Sequence, residues 1–282
     1  MFILRAIGRF FVRIGRWIKE TAWVQPLLIV GGIFAIIFSI PYLTKWVKSW
    51  FSDSSASAKY YSSKKISLKG AKDHKSDVDV LFDYMTAFHD GDVAKQETGK
   101  KKFGEKFFLT LVQEDCANCD ERYGAFKALE ENWGKGSFEE LKEETFKFHT
   151  IYVDSKDDDG NNLFESVYDR DSVTNIFEDT ISCMSGEYVD HPYKDNSDDS
   201  STYVTNLKNL LNREDISTPT TFLVDMTANN PKGWTSDYGI REVLFSFNGT
   251  GGNDDMAKAR TLRNAWTNLD SKDNQFSAEY RK

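Results

Sequence analysis

Three cysteines in 282 residues are too few for a disulfide-scaffolded secreted fold and too few for a four-thiolate zinc site. No internal repeat of roughly 20 to 50 residues is present, which removes solenoids and propellers. Basic residues are scarce after position 50, where 29 Lys or Arg face 43 Asp or Glu. Phosphate binding draws on clustered Lys and Arg, so nucleic acid is not an expected partner. An acidic balance of that size instead gives a soluble, self-repelling surface. A poverty of apolar residues is also missing. At 40% hydrophobic content the chain can bury a proper core, and disorder of the whole is excluded.

The first fifty residues have the opposite charge, with seven Lys or Arg against one Glu. Within them, PLLIVGGIFAIIFSIPYL runs from Pro26 to Leu43 without a charge, about the length that crosses ~30 Å of hydrocarbon as a helix. Trp23, Tyr42 and Trp46 stand at its ends, where amphipathic aromatics gather at headgroup depth. The expected transmembrane helix covers residues 22–44. Arg5, Arg9, Arg13, Arg16 and Lys19 precede it and only Lys45 and Lys48 follow closely, which places the N-terminus in the cytoplasm and the C-terminal domain outside it. A cleaved signal peptide would want a shorter apolar core and a small-x-small cut site, and Ser39-Ile40-Pro41 supplies none. Residues 1–21 read as a basic amphipathic segment able to lie on anionic lipid, or as a topology signal without a specific partner. The Ser-rich stretch within 45–63 reads as a tether, and 64–282 as the folded domain.

In that domain Val78, Leu81, Tyr84, Met85 and Phe88 follow a helical period between Ser76, a cap, and Asp90-Gly91, a stop. Lys106 to Val112 (KFFLTLV) predicts a buried strand, after which Tyr123, Phe126, Leu129 and Trp133 share a helical face. Phe146 to Val153 predicts a second strand, and strand, helix, strand is the order of a parallel crossover unit. Helical patterns at 163–181 and 203–211 follow, then strands near 220–225 and 242–247 and a helix over 255–269.

Cys116 and Cys119 therefore fall at a strand-to-helix turn. There the first thiol lies near unpaired backbone N–H groups and the positive end of the helix dipole, both of which stabilise a thiolate. Disulfide exchange needs an attacking thiolate and a second thiol within reach to resolve the mixed disulfide. Cys116 is the natural attacker and Cys119 the resolver. A structural disulfide remains an alternative. Zinc would need two more ligands from Cys183, His74, His89, His149 and His191, none of which forms a second short-spaced pair. Cys183 on its own reads as a small buried hydrophobe.

The run FFLTLVQEDCANC with its following helix resembles the first strand, active-site turn and helix of the thioredoxin superfamily. The run from Thr218 to Val224 (TPTTFLV) resembles that family's loop, in which a cis-proline packs beside the dithiol before an antiparallel strand. The resemblance implies an α/β thioredoxin-like fold with a helical insertion at about 160–215, ahead of the cis-proline loop and behind one N-terminal transmembrane helix. It further implies that Thr218 and Pro219 border Cys116 and bind substrate backbone. The chain departs from the family at Asp115, where an aromatic residue is usual, at Ala117-Asn118 between the cysteines, and at Thr110, where many thioredoxins have a buried carboxylate.

The expected function is a membrane-tethered thiol-disulfide oxidoreductase acting on extracytoplasmic protein cysteines, without cofactor or metal. The partners implied are cysteine-containing protein substrates or a redox partner. The alternative is a non-catalytic interaction module of a secretion, conjugation or envelope assembly, in which the same cysteines form a static bond.

Overall fold

A computed structural model describes residues 56–70, 75–185, 202–227, 236–245 and 252–267, together with Phe247 and Gly249. The basic segment, the span at 22–44 and the first part of the tether lie outside the described residues. Among the described residues, no helix is long and apolar enough to cross a membrane.

Helix α1 (Ala56–Ser63) opens the described chain, within the stretch read above as tether. Helix α2 (Asp77–Asp90) begins in a capping box: the Ser76 side chain accepts from the Asp79 N–H while the Asp79 carboxylate takes the Ser76 N–H. It ends at Gly91, whose φ of 72° supplies the left-handed C-cap that a side chain would resist. Helix α3 (Val93–Phe103) has no apolar period. The Asp92 side chain caps it, and Lys100, Lys101 and Lys102 meet the negative end of its dipole.

Strand β1 (Lys106–Val112) leads through the cysteine turn into α4 (Ala117–Asn132), and a 3-10 turn (Gly136–Leu141) leads on to β2 (Phe148–Tyr152). Short helix α5 (Glu165–Tyr168), then α6 (Asp171–Met184) and α7 (Thr202–Lys208), precede β3 (Thr220–Asp225). Strand β4 (Ile240–Leu244) and helix α8 (Asp255–Thr267) close the fold. The four strands form one mixed sheet in the order β2-β1-β3-β4. β1 runs parallel to β2, and β3 runs antiparallel to both β1 and β4. The crossover β1-α4-β2 and the antiparallel strand after Pro219 agree with the sequence pattern. The last strand begins at Ile240, two residues before the expected start at 242, with Arg241 and Glu242 buried within it.

Alternation along β1 splits the interior into two cores. Phe107, Leu109 and Leu111 point to the side covered by α2, α6 and α7, while Phe108 and Val112 point to the side of α1, α4 and α8. On the second side Phe126 of α4 stacks on Phe148 of β2, with centroids 4.5 Å apart and planes at 15°. Trp133 meets Trp266 of α8 edge-on at 4.9 Å. Offset and edge-on aromatic pairs add ~1 kcal/mol beyond their buried area, so α4 is held firmly over the sheet.

Both sheet edges have partners among the described residues. The outer edge of β2 pairs with the segment after α1, where the Ile66 N–H donates to the Thr150 carbonyl at 2.8 Å and the Thr150 N–H to the Lys64 carbonyl at 3.0 Å. At β4 the Tyr203 hydroxyl donates to the Val243 carbonyl and the Val243 N–H donates to the Glu242 carboxylate, each at 3.2 Å. Side chains there take up the backbone groups that an open edge would offer to another strand.

Candidate active site at the start of α4

β1 delivers the chain to the rim of the sheet, where Gln113, Glu114 and Asp115 are exposed. The Asp154 carboxylate, just past β2, accepts the Glu114 N–H at 2.9 Å and ties the turn to the neighbouring strand. Asp115 has φ 55°, the sole non-glycine residue with positive φ among the described residues. Aspartate tolerates the left-handed region better than most side chains, because its short carboxylate can bond locally. That reversal sets Cys116 at the N-cap of α4, in extended backbone.

Cys116 and Cys119 are joined in a disulfide, Sγ–Sγ 2.10 Å with Cα atoms 5.2 Å apart. Cys116 is half-buried and Cys119 buried, so only the first sulfur is open to a partner. The Cys119 N–H donates to Cys116 Sγ at 3.1 Å, one of the orphan donors of the helix start aimed at the outer sulfur. The Cys119 carbonyl in turn accepts the Tyr61 hydroxyl of α1 at 3.1 Å.

The loop before β3 comes up beside the pair. The Thr218-Pro219 peptide bond is cis, Pro219 is buried, and the Thr218 carbonyl and hydroxyl oxygens each lie 3.6 Å from Cys116 Sγ. The Thr218 hydroxyl donates to Gln113 Oε1 at 3.1 Å, locking this loop to the cysteine turn. The four residues singled out in the sequence, Cys116, Cys119, Thr218 and Pro219, thus meet at one place.

Beneath them the sheet carries a row of threonines, since Thr110 of β1 is in register with Thr150 of β2 on one side and Thr221 of β3 on the other. The Thr110 and Thr221 hydroxyls, both buried, bond to each other at 3.0 Å. Carboxylates ring the turn instead. Of these, Glu121 pairs with the Arg122 guanidinium at 2.6 Å, which holds its carboxyl below the usual range, with Lys258 3.5 Å away adding to the effect.

The remaining zinc candidates are scattered. Cys183 is buried in the opposite core, where burial pushes its thiol up. His149 is half-buried, bonds the Phe103 carbonyl at 3.2 Å, and is held neutral by burial. His89 stacks on Tyr238, and His74 and His191 lie outside the described residues. Among the described residues, no group of three or more His, Cys, Asp or Glu is placed to hold a metal ion.

Gln113, Asp154, Tyr61 and Ser57, whose hydroxyl donates to the Asp120 carboxylate in the first turn of α4, border this site without being singled out by the sequence. Asp154 carries a weak signal as the acid ending a strand. The other three are ordinary polar residues whose partners are distant in sequence.

Fold and site together define an α/β protein with a mixed four-strand sheet and a C-x-x-C disulfide at the start of the helix after the first strand, a topology compatible with a thioredoxin-like domain. Comparison with protein-family models, curated proteins and solved structures finds no match.

Proposed function

We propose that the chain is a membrane-tethered thiol-disulfide oxidoreductase, in which a thioredoxin-like domain acts on extracytoplasmic protein cysteines. The observation that carries this reading is the asymmetry of the pair: a half-buried Cys116 bonded to a buried Cys119 at a helix start, with Thr218 at 3.6 Å. An outer sulfur that accepts a backbone N–H is a site where negative charge is stabilised once the bond opens.

In the reducing direction the Cys116 thiolate attacks one sulfur of a substrate disulfide. The substrate S–S bond breaks, its far sulfur leaves with the electron pair, and a mixed disulfide forms on Cys116. The Cys119 thiolate then attacks Cys116 Sγ, closing the Cys116–Cys119 bond and expelling the second substrate thiolate. Two electrons pass from the protein dithiol to the substrate, and the two thiol protons end on the two substrate sulfurs. The reverse sequence oxidises a substrate dithiol. Thr218 and Pro219 border the sulfur where a substrate chain would lie, and the Thr218 carbonyl offers it an acceptor.

Tethering and orientation rest on the uncharged run at 26–43 and the basic residues before it. A membrane face, with the basic helix on anionic lipid, and cysteine-containing proteins are the partners this implies.

The test is turnover of a model protein disulfide by the detergent-solubilised full chain. Cys116→Ser is expected to abolish it, at least ~100-fold, because no other sulfur at the turn is open to attack. Activity that survives the substitution sinks the proposal. The second reading, a non-catalytic interaction module with a static disulfide, is favoured by Thr110: its hydroxyl is committed to Thr221, so no proton acceptor stands at that position. A disulfide that resists mild reductant, with partners retained by a chain carrying both Cys116→Ser and Cys119→Ser, would favour it.

A further inference from the structure

Helix α1 is fastened at two places. On the sheet side Thr150 Oγ1 donates to the Tyr61 carbonyl at 2.7 Å, and the Tyr60 ring stacks on Phe148 at 5.7 Å. On the other side it grips the first turn of α4: the buried Tyr61 hydroxyl donates to the Cys119 carbonyl, and the buried Ser57 hydroxyl donates to the Asp120 carboxylate. Lys64, just beyond the helix, pairs with Glu130 further along α4. A carbonyl has two lone pairs, so Cys119 can accept the phenol without giving up its place in the helical ladder. Burial and the Asp120 charge raise the Tyr61 phenol well above its ordinary range, so it stays a neutral O–H donor.

From this geometry we propose that Tyr61 is a positioning residue of the dithiol, pinning Cys119 to the sheet through α1 and so holding the two sulfurs at bonding distance. The equilibrium between dithiol and disulfide depends on the effective concentration of one thiol at the other. That concentration rises as the backbone between them is held more rigidly. Ser57 acts in the same direction from the next residue. The proposal rests on the exchange reading for its significance, but the equilibrium it concerns is measurable without turnover.

The test is equilibration of the full chain with reduced and oxidised glutathione, with the dithiol fraction read by alkylation and mass shift. In Tyr61→Phe the ring stays in the core and only the hydroxyl goes. The equilibrium constant for closing Cys116–Cys119 is expected to fall about threefold, equivalent to ~14 mV toward a more oxidising couple. Tyr203→Phe is the control, since it removes the same kind of buried O–H to carbonyl bond from the opposite core. It is expected to lower stability and leave the constant within about 1.5-fold. Should Tyr61→Phe fail to fold, Ser57→Ala is expected to move the constant the same way by a smaller factor. An unchanged constant in Tyr61→Phe, or equal shifts in Tyr61→Phe and Tyr203→Phe, overturns the assignment. A shifted constant in a chain without turnover keeps Tyr61 in this role and removes the oxidoreductase; turnover with no shift does the reverse.

Discussion

Thr110 stands six residues before Cys116, where a buried carboxylate would assist proton transfer in the resemblance noted above. Its hydroxyl and that of Thr221 share one buried hydrogen bond, and neither group is a base. The sequence shows the missing carboxylate but not the partner, which lies 111 residues away. Glu242 is a buried residue of another kind. Burial pushes its carboxyl up from 4.5 to about 8, against the lowering effect of the Val243 N–H. Between those values the native state holds a proton that the unfolded chain has released, so the contribution of Glu242 to stability falls as pH rises from about 4.5 to about 8. Urea unfolding is expected to show a loss on the order of a few kcal/mol between about pH 5 and about pH 8. Glu242→Gln, which mimics the protonated carboxyl, is expected to remove most of that slope. An equal slope in the variant would place the titrating group elsewhere.

Among the elements, those with apolar periodicity were readable and those held by specific contacts were not. α2 announced itself through Ser76, Gly91 and a run of buried residues at helical spacing. α3 did not, because in VAKQETGKKKF only Gly99 and Phe103 are buried. Gly99 is there for close approach: a Cβ at that position would lie 2.1 Å from Tyr84 Cγ and 2.4 Å from its Cβ. The Tyr84 side chain is buried in α2 and cannot swing clear. Gly99→Ala gains ~1 kcal/mol of helix propensity, but overpacking against a ring root costs more. Net destabilisation of about 2 kcal/mol is expected in urea denaturation, and a neutral or stabilised variant would contradict this packing. α1 was hidden for a related reason. Its buried face is Ser57 and Tyr61, a pattern that looks like a Ser-rich linker until α4 is placed against it.

At the scale of the fold, one sheet separates two cores among the described residues, and the dithiol sits on the core under α4. The strand order, the parallel pair β1 and β2 and the antiparallel return after Pro219 follow from element order and apolar pattern. What pattern alone could not supply are the long-range polar ties, Thr218 to Gln113, Glu114 to Asp154 and Tyr61 to Cys119, since a hydrogen-bonding side chain carries no periodic signature. Those ties fasten the cysteine turn to the loop before β3, to the end of β2 and to α1, around a bond that is either an exchange couple or a structural one. The reduction potential of Cys116–Cys119 in the full chain separates the two most directly. An exchange couple is expected between about −270 mV and about −120 mV, with the lower end marking a reductant and the upper an oxidant. A value well below about −300 mV would contradict the account and mark the bond as structural.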